Sequence, residues 1–263
     1  MANTITTVGA LQKSATKYEK DLLIMPVTAA QATLQHMQGI PGLTGNIVLG
    51  QLDGEAELGP YKNTRKADGN FTIAPRELEL FLGNCAYGFD PNEVWGTIYG
   101  SLVTQGEGLK GVDINKSILM LVAGKLGRKL NMAIWNAKRN ANGDSTKDLF
   151  NGFDTITDSE KTAGNLSTEK GNYMELTEAI TSANAVDTFN SIFDAANDEL
   201  KGQQVKIYCS KEQYMAYNRN YQMLHGALPY NQEFKKTFLE GTDNLWEFCP
   251  LASKKGSPYI HIA

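Results

Sequence analysis

The chain has 263 residues, with 25 basic and 29 acidic side chains and a formal net charge of −4, and no dense Lys/Arg cluster disturbs that balance. Such a distribution argues against non-specific gripping of nucleic acid, which needs a basic face, and no apolar run reaches the roughly 18 residues of a membrane span. Cys85, Cys209 and Cys249 are an odd, widely spaced set, each beside apolar residues, as expected of buried thiols in a reduced, cytosolic protein.

The N-terminus, MANTITTVGALQKSATKYEK, lacks a charged n-region followed by an apolar h-region, so no signal peptide is expected. Lys17 to Leu23 and Thr28 to Met37 are short helical candidates, the second closed by Gly39 and Pro41. Neither is long enough to stand alone, so residues 1–40 read as an arm that lies on something else. From Ile40 to Gly88 the texture turns to strands and turns. Ile47-Val48-Leu49 is β-prone, and Phe71-Thr72-Ile73 leads past Pro75 to Leu78, Leu80 and Leu82, which alternate as one strand face would. Between them lies a glycine-rich, charged tip that includes Tyr61, Lys62, Arg65, Lys66 and Asp68. A hairpin this long cannot bury both faces by itself and is expected to find its stability on a neighbour.

Asp90-Pro91-Asn92-Glu93 is a helix start with a cap, a proline at the first helical position and a capping-box glutamate. The longest rigid element follows, Asp113 to Asn140, with no proline. Ile114, Ile118, Leu119, Val122, Leu126, Leu130, Ile134 and Ala137 recur at helical spacing, opposite Lys125, Arg128, Lys129, Asn136 and Arg139. Asp113 is a suitable N-cap, and such a spine would run roughly 40 Å. Gly124 and Gly127 in its middle each cost about 1 kcal/mol relative to alanine, which points to another backbone packed closely there or to a bend.

Beyond the spine, Leu149 to Ile156 is apolar around an Asn-Gly turn and Thr157 to Asn172 reads as a polar loop. Helices are expected at Tyr173–Ser182 and Ala185–Leu200, the second with the stripe Val186, Phe189, Ile192/Phe193, Ala196 and Leu200 ending at Gly202. Val205 to Tyr208 is a buried strand, and Ser210-Lys-Glu-Gln213 opens a further helix with a capping box. Leu245 to Cys249 and Tyr259 to Ile262 read as two strands joined by a Ser-Lys-Lys-Gly-Ser turn. The chain stops inside the second of these, so a short or truncated C-terminus is expected. Alternation of helix and strand over residues 149–240 suggests an α/β or α+β unit.

Catalytic signatures are sparse. His36, His225 and His261 are scattered, none at metal-ligand spacing, and there is no nucleophile elbow, phosphate loop or zinc-protease motif. Gly106-Glu-Gly108-Leu-Lys-Gly111 follows no convincing strand and reads as a connector. A Cys/His pair built from Cys209 with His225 or His261 is compatible with spacing, but a thiol inside a buried strand is structural far more often than reactive. Tyr214, Tyr217 and Tyr221, at helical spacing, suit core or interface packing better than base stacking. No catalytic, cofactor-binding or metal-binding residues are expected.

The order of parts (arm, hairpin, spine helix, α/β unit, closing strands) resembles the Hong Kong 97-like fold of tailed-phage major capsid proteins. Leu149-Phe-Asn-Gly-Phe-Asp154 looks like that family's passage from spine to A-domain. Asn184-Ala-Val-Asp-Thr-Phe189, Val205-Lys-Ile-Tyr-Cys-Ser210 and Tyr217-Asn-Arg-Asn-Tyr221 look like capsid proteins of phages infecting Bacteroides-type hosts. The resemblance implies an α+β fold with an N-arm (1–40), an E-loop hairpin (41–88), a P-domain carrying the spine (89–145 plus 244–263) and an A-domain (146–243). It further implies a non-enzymatic virion protein, assembled in the host cytoplasm, that forms hexamers and pentamers of an icosahedral shell. Scaffolding and portal proteins would be its partners, DNA would be enclosed without sequence-specific binding, and Tyr61, Lys62, Arg65, Lys66 and Asp68 at the E-loop tip would touch neighbouring subunits. A bacterial nanocompartment shell of the encapsulin type is the alternative, and the early C-terminus and the lack of a long N-terminal scaffolding segment depart from the pattern.

Overall fold

Two helices laid side by side form the frame of the larger of two units in the computed structural model, which describes residues 13, 15–40, 43–54, 60–62, 71–85, 114–226 and 237–263. Helix α1 (Glu19–Leu34) packs along helix α2 (Ile114–Asn136). Lys116 Nζ sits 4.4 Å from the Tyr18 ring centroid at one end, and the Thr33 hydroxyl donates to Asn131 Oδ1 at 2.7 Å toward the other. The helices are therefore parallel. Two short helices were expected in the arm; instead α1 runs continuously through Pro26. A proline inside a helix costs about 3 kcal/mol, and packing against α2 offsets that cost here.

The spine has 23 helical residues, shorter than the expected span because the chain from Lys138 to Asn140 leaves the helix to bond elsewhere. The Lys138 amide donates to Lys147 O (2.8 Å) and that of Asn140 to Asp148 O (2.9 Å). Asp113 lies outside the described residues, as does the helix start at Asp90-Pro91-Asn92-Glu93. Lys125, Arg128, Lys129 and Asn136 are exposed as expected. The seam differs from the predicted leucine stripe: Ala123, Gly127, Ala133, Trp135 and Ala137 are the buried positions, whereas Val122, Leu126, Leu130 and Ile134 are half-buried. Trp135 and Ala137 are covered by the segments that follow the spine, so the best-covered positions of the helix are mostly small residues and not its leucines. Gly124 is a correction of another kind, since a Cβ there would meet nothing within 4 Å.

After the spine, helix α3 (Phe153–Thr162) begins in the apolar stretch and runs into Thr157–Asn172, which was expected to be a loop. Gly152 caps it and is required by contact rather than by conformation. Its amide donates to Ala137 O at 2.8 Å, and a Cβ there would lie 2.4 Å from Trp135 O. The helix expected at Tyr173–Ser182 does not form. Asn184 takes over that backbone, accepting from the Thr181 amide (2.7 Å) and donating to Ala179 O (3.1 Å), a local alternative that competes with a short helix. Helix α4 (Ala185–Ala195) follows and ends five residues early, because Asn197 caps a separate turn, α5 (Asp198–Lys201), by accepting from the Glu199 amide.

Strand β3 (Val205–Ser210) and helix α6 (Lys211–His225) form as expected, with the Ser210–Gln213 capping box complete. Strands β4 (Trp246–Leu251) and β5 (His261–Ile262) do not form the expected hairpin. Both pair with β3, β4 parallel and β5 antiparallel, giving the order β4-β3-β5. The central strand is the most buried of the three, so covering it from both sides wins over a local turn. Phe248 anchors the core, with ring centroids 4.8 Å from Tyr217, 5.1 Å from Phe189 and 5.7 Å from Tyr214. The tyrosines of α6 are thus packing residues.

The smaller unit, Gln38–Asn84, is an antiparallel pair. These strands, β1 (Ile47–Gly54) and β2 (Phe71–Leu78), pair from Ile47 opposite Leu78 to Gly54 opposite Phe71. The predicted face of Leu78, Leu80 and Leu82 is cut short at Leu78, where the partner strand begins. Past that point Asn46 accepts from the Leu80 amide at 3.0 Å and donates to Glu77 at 3.1 Å, closing the open end.

Candidate functional site

Of the predicted tip residues, Tyr61 and Lys62 are exposed, Tyr61 at 91 %. Arg65, Lys66 and Asp68 lie outside the described residues. The structure brings together a different set, which sequence reasoning missed, where the spine, α3 and the C-terminal stretch meet.

Trp135 is its floor. The ring is 2 % exposed and has Phe153 and His261 at 5.3 Å and Tyr208 at 5.9 Å between centroids. Its indole N–H donates to Ser253 Oγ at 3.1 Å, and that hydroxyl also meets Thr33 Oγ1 at 2.8 Å. A single chain of hydrogen bonds thereby ties α1, the spine and the 3-10 turn Ala252–Lys254. On the ring lies Lys254, whose ammonium is 4.4 Å from the centroid and fully buried. It donates to Ser257 Oγ (3.0 Å), His261 Nδ1 (2.8 Å) and the Tyr259 carbonyl. Asp154 on α3 stands 3.8 Å away and accepts from Ser257 Oγ at 2.9 Å, while its Oδ2 is buried and has no hydrogen-bond partner among the described residues. Asp158, one turn on, accepts from the Tyr259 hydroxyl.

The electrostatics follow from burial. Desolvation pulls the Lys254 ammonium down to about 8, although Asp154 resists, and raises the Asp154 carboxyl above its usual range against the pull of Lys254. His261, desolvated and facing a cation, is pushed down to about 4. The Lys254 hydrogen bond makes Nδ1 an acceptor, so Nε2 carries the proton and donates to Thr157 Oγ1 at 2.9 Å, and the Thr157 hydroxyl donates onward to Phe153 O. Every proton in this relay is assigned by its neighbours.

The Cys/His pairing considered from spacing does not form. Cys209 is buried and its thiol is pushed up to about 12 by burial, and His225 stacks on Tyr221 at 4.2 Å. A different contact exists, Cys249 Sγ to His36 Nδ1 at 3.6 Å, but burial raises that thiol to about 11 and holds it protonated. Cys85, expected to be buried, is exposed. Among the described residues no cluster of three or more His, Cys, Asp or Glu could hold a metal, and no helix is long and apolar enough to cross a membrane.

Nothing in the sequence marked Lys254 over Lys255, since both sit in a polar stretch resembling a solvated turn. The fold and the node define a mixed α+β protein with a buried ionic centre. No protein-family model, curated protein or solved structure matches the chain.

Proposed function

We propose that the chain is a structural shell protein, a Hong Kong 97-like major capsid protein that assembles as hexamers and pentamers into an icosahedral phage head around double-stranded DNA. The observation that carries this reading is the hairpin unit, which leaves Val48 65 %, Ile73 68 % and Leu82 103 % exposed. Eight paired residues per strand and an apolar surface cannot be stabilised by a two-stranded ribbon alone. Neighbouring subunits of a shell supply that burial. The prolineless spine and the separate α/β sheet support the same reading as parts of a P-domain and an A-domain. In this role the protein has no catalytic chemistry, works in the virion after assembly in the host cytoplasm, and takes scaffolding and portal proteins as partners.

Negative-stain electron microscopy and light scattering of the chain, alone and co-expressed with a scaffolding partner, test it. Closed shells of uniform diameter are expected. A monomer that never assembles, even with its scaffold, overturns the reading.

A further inference from the structure

The C-terminal strand is held by an unusual device. β5 contributes only two residues to the sheet, Tyr208 opposite His261 and Ile207 opposite Ile262, extended by the reciprocal bonds of Lys206 with Ala263 (2.7 and 3.1 Å). β4, on the other side of β3, pairs over six residues. The weakest strand of the sheet is therefore the one that carries His261, and His261 presents a bare Nδ1 to a buried ammonium 2.8 Å away.

We propose that Lys254 and His261 form a proton-sensitive clasp: the neutral imidazole holds β5 against β3, and its protonation places two cations in one buried site and releases β5 while the rest of the sheet stays folded. Three observations carry this. The relay from Lys254 through His261 and Thr157 to Phe153 O uses Nδ1 as an acceptor from the ammonium, and the nearest carboxylate oxygen, Asp154 Oδ1, stands 4.0 Å from Nδ1, outside hydrogen-bond reach. The site is largely enclosed, with Lys254 fully buried, Asp154 nearly so and His261 22 % exposed, so water screens the two charges poorly. The segment that would move is the one with fewest ladder bonds, and such elements open first.

The charged and titratable groups around the imidazole are Lys254 on the 3-10 turn, Asp154 on α3, Tyr208 opposite it on β3 and Tyr259 beside it, and Asp158 on α3 meets the Tyr259 hydroxyl instead of the ring. None of the others that touch the ring explains an acid response. Lys254, at about 8, and the raised Tyr259 and Tyr208 keep their protons throughout a descent from neutrality. Asp154 is raised, so the fold favours its protonation and it opposes acid release. That leaves His261, lowered from 6.5 to about 4. Release bares one edge of β3, a row of unpaired backbone groups able to accept another strand. The clasp stands whether or not the shell reading does.

Hydrogen exchange of the full chain, corrected for the intrinsic pH dependence of exchange, is the test. From neutral pH to about pH 4 the amides of Lys206–Tyr208 and Ile260–Ala263 should lose protection by up to about a hundredfold, because proton binding to a released imidazole grows tenfold for every step of one in pH below 6.5. Over the same range α6 and β4 should hold theirs. His261→Gln, which keeps an acceptor but cannot charge, should abolish the response. Unchanged protection in acid, or loss across the whole sheet at once, overturns the clasp. A nitrogen-15 titration of the wild-type imidazole decides it independently of any variant. An Nε2-protonated ring that stays neutral below pH 5 supports the clasp, and a ring titrating near 6.5 sinks it.

Discussion

The hairpin and the Trp135 node invert each other. The hairpin, in its own unit, turns Val48, Ile73 and Leu82 outward, whereas the larger unit takes a lysine, an aspartate and a histidine inward and covers them. The first arrangement wastes apolar surface and the second bears the cost of desolvating charge. Both make sense if the two regions draw stability from different sources. The node draws its contacts from within the chain, while the hairpin leaves apolar side chains uncovered. Breaking the node should therefore damage the isolated subunit, and altering the hairpin face should not.

The largest effect is expected at the ammonium. Lys254→Met leaves Asp154 buried without a cation and strips donors from Tyr259 O, Ser257 and His261, so a loss of roughly 3–5 kcal/mol is expected in urea unfolding. Lys254→Met with Asp154→Leu should recover much of that loss, because the orphaned carboxylate goes too. A double variant as unstable as the single would show that Lys254 acts through its other hydrogen bonds and that the ion pair is incidental.

Acid comes next. His261 has its native pKa below its unfolded one, so the unfolded chain binds the extra proton first. Its contribution is complete above about 6.5 and lost as pH falls through about 4. The amount is about 3 kcal/mol by the linkage relation. Wild-type unfolding midpoints measured at intervals across that window should fall, and those of His261→Gln should fall less.

Smaller again is Gly152→Ala. The new methyl would lie 2.4 Å from a backbone oxygen and 2.8 Å from the Ala137 nitrogen, neither of which can rotate away. A cost of roughly 1–3 kcal/mol is expected, read as a lowered urea midpoint with the helical signal retained.

Legibility from sequence followed the same division between local and tertiary causes. The Ser210–Gln213 capping box, the Val205 strand, the stripe of Val186 and Phe189 and the β1 and β2 segments were readable because neighbours in sequence determine them. The breaks at Asn184 and Asn197 were missed because a single side chain redirects the backbone there. Leu126 and Leu130 stood out as the buried seam of the spine, yet the buried positions are alanines, a glycine and Trp135. Periodicity reports hydrophobic character, not which positions the following segments cover. The node was invisible for a plainer reason. Its members come from around residues 33, 135, 154 and 254, and only the fold makes them neighbours.

The smallest effect on the subunit should come from the hairpin, and it decides most about function. Val48→Thr and Ile73→Thr keep the branched shape that suits a strand while making two largely exposed side chains polar. Each removes little buried area within the subunit, so unfolding midpoints should stay within about 0.5 kcal/mol of wild type. If the hairpin face is where a neighbouring subunit seats, the same two changes should abolish or weaken shell formation, because they put hydroxyls into an interface that excludes water. Assembly by light scattering and stability by urea unfolding must be measured on the same preparations. Normal stability with lost assembly locates the missing burial on another subunit. Unchanged assembly would mean that this face is not buried in the shell, and the apolar surface of the hairpin would lose its place as the observation on which the shell reading rests.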